Sequence, residues 1–131
     1  MKKDIDFYQA KDMQIVAVPE WDKDFLAQHW NVYLINNSNT VLETTLVLTR
    51  GNSDTKKTST LRYNLKDVAP KTSVKIEFIQ EEVIGFTNEY LVTYFKADKL
   101  HEKKFVFKPH SISEKNTSKI EVMGVEGVVA N

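Results

Sequence analysis

The run Trp30-Asn31-Val32-Tyr33-Leu34-Ile35-Asn36, closed by Asn37-Ser38-Asn39, constrains what this chain can fold into more than any other stretch. A short run rich in aromatic and β-branched residues and ended by turn formers reads as a strand buried on both faces. Such a strand belongs inside a sheet, so the rest of the chain has to supply its neighbours.

It does so by alternation of period two. Met13 to Val18 reads as a strand stopped by Pro19, which lacks the amide hydrogen a ladder uses. Asp22 and Asp24 ahead of Phe25-Leu26-Ala27-Gln28 predict one capped helical turn or an ordered crossover. Val41 to Thr49 sets Leu42, Leu46 and Leu48 on one face against Glu43, Thr45 and Thr49 on the other, the pattern of a strand with one wet face. Arg50 to Lys57 has no apolar side chain and predicts a disordered loop tip. Thr58 to Tyr63 resumes extended character, and Pro70 turns the corner.

Ser73 to Gln80 then predicts Val74, Ile76 and Phe78 inward, with Lys75 and Glu77 outward. After the connection Glu81 to Asn88, the strand Glu89 to Lys96 sets Tyr90, Val92 and Tyr94 opposite Leu91, Thr93 and Phe95. Ala97-Asp98-Lys99 turns it in a hairpin into Leu100 to Lys108, with Phe105-Val106-Phe107 as core. A polar link from Ser111 to Ser118 leads to Lys119 to Met123, and Gly124 and Gly127 punctuate a tail that forms a last strand or covers an edge. Residues 1 to 12 read as a frayed lead-in or a first edge strand, with Phe7 and Tyr8 as its bulky groups.

About seven to nine short strands without helical periodicity predict an all-β fold, an antiparallel β-sandwich of immunoglobulin or fibronectin type. The 131 residues fit a single domain, 1–131, large enough to bury a core without staples. No apolar run approaches the roughly 18 residues of a spanning helix, so no membrane partner is expected. Met1-Lys2-Lys3-Asp4 is followed by acids rather than an apolar segment, which argues against a signal peptide and for a cytoplasmic location. With no cysteine, disulfides, thiolate catalysis and Cys-based metal sites are excluded. A formal net charge of zero removes any global field that would gather nucleic acid or anionic lipid.

Trp30 to Asn36, Leu61 to Pro70, Thr87-Asn88-Glu89-Tyr90 and Phe105-Val106-Phe107-Lys108-Pro109 resemble a small uncharacterised bacterial β-domain family, over roughly residues 13 to 112. Some members of that family carry the label phenylalanyl-tRNA synthetase subunit. Val32 to Asn39 is also similar to the β-domain attached to Smr-domain proteins. The resemblances imply a small β-domain and assign no functional residue. Synthetase chemistry does not follow from them, because glycines at 51, 85, 124 and 127 and arginines at 50 and 62 cannot assemble a nucleotide-binding loop.

The candidate residues divide by chemistry. His29, His101 and His110 fit no zinc spacing, and His101 and Glu102 as strand neighbours point to opposite faces. The acid pairs Asp4/Asp6, Asp22/Asp24 and Glu81/Glu82 suit caps and wet turns better than a glycosidase pair. The sequons at Asn36 and Asn116 read as turn and linker chemistry. No catalytic, metal or cofactor residue is therefore expected, and the chain reads as a non-enzyme.

Two surfaces are proposed from the sequence. Trp30, Tyr33, Phe86, Tyr90 and Tyr94 supply more aromatic mass than one core needs, which predicts an aromatic patch for a protein partner or a homo-oligomer. Between residues 99 and 119 there are six lysines against two glutamates. Lys99, Lys103, Lys104 and Lys108 with Phe105 and Phe107 between them make nucleic-acid binding the alternative. The primary expectation is a non-enzymatic protein-interaction or accessory module.

Overall fold

The computed structural model describes residues 12–131. The lead-in expected at the N-terminus, with Phe7 and Tyr8, lies outside them apart from Asp12. Nine strands follow one another: β1 Met13–Trp21, β2 Gln28–Asn36, β3 Leu42–Asn52, β4 Leu61–Val68, β5 Thr72–Ile79, β6 Thr87–Lys96, β7 Lys99–Phe107, β8 Ser118–Ile120 and β9 Val125–Val129. Two short 3-10 turns, Glu81–Gly85 and Glu114–Asn116, complete the described elements. The strands form one sheet ordered β5-β2-β1-β9-β8 and another ordered β4-β3-β6-β7, every pair antiparallel. This is a β-sandwich, as the alternation predicted.

The Trp30–Asn36 run lies within β2, paired on one side with β1 and on the other with β5. It is apolar on both faces for the expected reason. Val32 and Leu34 enter the core between the sheets with Ile15, Val47, Tyr90, Val92 and Phe107. Ile35 points away and joins Val16, Val18 and Ile120 in a second cluster, with Tyr33, Val122 and Met123 packed on it. The β8–β9 hairpin thus folds over the outer face of the larger sheet. Gly127 permits the close approach, because a Cβ there would lie 3.0 Å from the Ala17 carbonyl oxygen.

Asn36 is buried and fastens the end of β2 to the corner between β4 and β5. Its amide nitrogen donates to the carbonyls of Thr40, Val68 and Ala69 at 2.9, 3.1 and 3.2 Å, and its oxygen accepts from the Ser38 amide and hydroxyl. The β6–β7 hairpin turns through Ala97 and Asp98 at φ 52° and 62°, the mirror-image two-residue turn whose twist suits a hairpin.

Five local expectations are corrected. β1 continues past Pro19, which pairs with Trp30; β9 reaches only Val16 and Ala17, so at Pro19 the strand has a neighbour on one side alone among the described residues and tolerates the ring as an edge does. The predicted helical turn is a non-helical hairpin loop, in which the Asp22 carboxylate accepts from the amides of Asp24 and Leu26 at 3.1 and 3.0 Å. The supposed disordered tip is ordered: Arg50, Gly51 and Asn52 remain in β3, and the Ser53 amide donates to the Lys56 carbonyl at 2.8 Å.

The fourth correction bears on function. In β3 the register breaks between Glu43 and Leu46, with Thr44 at φ 48°, and this bulge shifts the phase by one residue. Leu42 stays in the core. Beyond the bulge Thr45, Val47 and Thr49 are buried, while Leu46 and Leu48 face outward. A second irregularity, where β2 and β5 pair near Val32 and Tyr33, turns Glu77 inward and leaves Phe78 52% exposed, the reverse of the predicted alternation.

Candidate interaction surface

The outer face of the β4-β3-β6-β7 sheet is built by the register. Reading across the strands, one row is Arg62, Leu48, Leu91, Lys104, and the next is Asn64, Leu46, Thr93, Glu102. Beyond them lie Arg50, Glu89, Val106 at one end and Glu43, Phe95, Leu100 at the other. Leu46, Phe95 and Leu100 are 45%, 37% and 63% exposed. Among the described residues no element packs over this face, whereas the chain's own β8–β9 hairpin covers the part of the opposite outer face that carries Val16, Val18 and Ile35.

Charges frame the apolar strip. Glu89 accepts from the Arg50 guanidinium at 2.9 Å and lies 3.4 Å from the Lys104 ammonium. The Arg50 hydrogen bond, with help from the Lys104 charge, outweighs desolvation and holds the Glu89 carboxyl below its usual range. The face therefore carries a fixed pattern of cations and anions around leucines.

A second apolar group stands at the tip of the β1–β2 hairpin, where Trp21, Phe25 and Leu26 are 57%, 76% and 83% exposed. Phe25 holds φ 57°, so the loop keeps its ring turned out at a conformational cost. A third feature is a cleft of about 720 Å³ between the edges of β4 and β5. Glu77, aimed into it by the bulge, accepts from the Tyr63 hydroxyl at 2.8 Å and from the Tyr90 hydroxyl at 2.7 Å. Burial first, and then hydrogen bonding to Glu77, pushes the Tyr63 phenol up to about 12; burial first, and then the Glu77 charge, raises that of Tyr90 well above its ordinary value. Both phenols are protonated donors near neutrality, and they tie β5 of one sheet to β4 and β6 of the other across an open edge.

The residues singled out from the sequence fall elsewhere. Tyr90 and Tyr94 are buried, Tyr90 edge-on to Phe107 and Tyr94 stacked on His101 with ring centroids 5.2 Å apart. Trp30 packs on the core, and Tyr33 lies on the hairpin-covered cluster with its hydroxyl donating to Glu20 at 2.6 Å. Phe86 is half-buried, where β6 begins. These five do not form one exposed patch.

The basic residues are also divided. Lys104 is outward and paired with Glu89, Lys103 lies across from core-facing Val92, Lys99 stands at the hairpin turn, and Lys108 follows the end of β7. Phe105 and Phe107, the expected stacking groups, are buried. His29 sits edge-on to Phe78, and His110 packs against Gly85. Among the described residues no three His, Asp or Glu side chains gather as a metal site, and no helix is long and apolar enough to cross a membrane.

The chain matches no protein-family model, no curated protein and no solved structure. Its surface geometry therefore carries the functional argument.

Proposed function

We propose that this protein is a non-enzymatic interaction module that binds a protein partner through the outer face of β4-β3-β6-β7. One observation carries the reading: beyond the Thr44 bulge, β3 buries threonines and presents Leu46 and Leu48 to solvent. A strand that inverts its own amphipathicity leaves apolar area to be removed from water, and Leu91, Phe95 and Leu100 extend that area across the sheet. The strip has the apolar centre and charged rim of an interface. A cytoplasmic location and an accessory role belong to this reading. The nucleic-acid alternative has less support, since the lysines are split between directions and their aromatic companions are core.

The test compares wild type with the Leu46→Lys/Leu100→Lys variant as baits in native lysate, with and without nuclease. The reading expects proteins retained by wild type after nuclease and lost from the variant, with both baits giving the same circular dichroism spectrum. Equal retention by the two baits, or loss of every partner on nuclease treatment, would overturn it.

A further inference from the structure

The outer face of β4-β3-β6-β7 is complementary to itself, and we propose that its partner is a second copy of this chain. The inference rests on the interaction-module reading and names the partner for the same face. The proposed two-fold axis lies in the interface and runs across the strands, between the row of Leu48 and the row of Leu46.

The register supplies the reasoning. Rotation about that axis lays each of the two inner rows over the other. Leu48 then meets Leu46 of the second copy, Arg62 meets Asn64, and Lys104 meets Glu102. The outer rows exchange in the same way, bringing Arg50 over Glu43 and Val106 over Leu100. Along the centre Leu48 meets Leu46 and Leu91 meets the methyl-bearing Thr93, and each charge contact that forms between copies joins opposite signs and occurs twice. Glu89, which comes to lie over Phe95, is already compensated within its own copy by Arg50 and Lys104.

The other in-plane axis, parallel to the strands, would lay Arg62 over Lys104 twice. Like charges set opposite each other are destabilising, so the axis across the strands is preferred. A patch that fits itself under a two-fold is the isologous contact of most dimers. The resulting stack keeps the strands of the two copies nearly aligned, as face-to-face sheets pack.

Area sets the expected strength. Four strands about 4.8 Å apart and about seven residues long make a face of roughly 19 by 24 Å. With side-chain relief, that approaches the small end of a standard interface of roughly 800 Å² per partner. A face of that size is expected to support weak, concentration-dependent association rather than an obligate dimer.

The experiment is sedimentation velocity on the purified full chain, from low micromolar to millimolar concentration. Wild type is expected to shift from monomer to dimer across that range. Leu46→Lys places two buried cations in the contact and is expected to weaken the dimer at least ~100-fold. Glu102→Lys, which sets a cation against Lys104 of the second copy in both symmetric contacts and leaves the Lys104–Glu89 ion pair of each copy intact, should weaken it about tenfold, and Glu102→Gln should weaken it less. Far-UV circular dichroism and a thermal melt establish that each variant is folded before its association is read.

A wild-type chain that remains monomeric throughout would overturn the proposal, as would a dimer that Leu46→Lys leaves intact. A dimer broken by Leu46→Lys but unaffected by Glu102→Lys would overturn the register. If self-association fails while the lysine variant still loses its partners in lysate, the interaction reading survives without self-pairing. Failure of both measurements removes both.

Discussion

Asn36 shows how much one side chain can settle in this fold. It ends an apolar run, where a turn former was expected, yet it is fully buried with its amide saturated by three carbonyls. Removing that amide leaves buried carbonyls without a partner, so Asn36→Ala is expected to cost about 2–3 kcal/mol in urea denaturation. The exposed hairpin tip should behave in the opposite way. Phe25→Ser and Leu26→Ser are expected to change stability by no more than about 0.5 kcal/mol, because neither side chain is removed from water on folding. The phenols give a pH dependence with a definite sign. Tyr63 and Tyr90 hold their protons more tightly folded than unfolded, so the folded chain binds more protons above the ordinary tyrosine range. Their contribution is complete below pH 10 and is lost as pH rises towards about 12, the value at Tyr63. Denaturation midpoints measured at increasing alkaline pH should fall over that window, and Tyr63→Phe should make the decline shallower.

The elements were legible in proportion to how far simple alternation governs them. β6 and the β6–β7 hairpin were readable from the sequence, since no irregularity interrupts β6 and Tyr90, Val92 and Tyr94 keep one phase throughout. β3 and β5 were readable as strands, and Leu42, Val74 and Ile76 face inward as expected, but beyond each bulge the orientation was not readable, because a bulge shifts the phase without altering composition. The candidate surface was missed for that reason. Leu46 and Leu48 looked like core, and Phe78 looked inward, until the pairing register was known. No residue of β3 signalled the bulge, since Thr44 is a β-branched strand former and nothing local required it to adopt positive φ. That conformation is strained for a β-branched side chain, so Thr44→Gly should retain the bulge and stabilise the protein by about 1 kcal/mol. Differential scanning calorimetry would register the gain as a higher Tm. An unchanged or lower Tm would mean that the threonine side chain compensates its backbone cost through contacts of its own.

At the scale of the whole molecule, the two outer faces of the sandwich pose the same physical problem and are treated differently. The β8–β9 hairpin buries Val16, Val18 and Ile35 within the chain itself. The facing sheet carries Leu46, Phe95 and Leu100 with no such cover among the described residues. If a second copy supplies the cover, association and stability are linked, since only folded chains can pair. Each tenfold rise in protein concentration above the dissociation constant should then stabilise the dimer against unfolding by about 1.4 kcal/mol per mole of dimer. The observable is a Tm that climbs with concentration for wild type. Leu46→Lys should remove that dependence while matching the wild-type Tm at the lowest concentration, because Leu46 is already half-exposed in the isolated chain. A wild-type Tm that stays flat across the same range would remove self-pairing and leave the interaction reading to the comparison of baits in lysate.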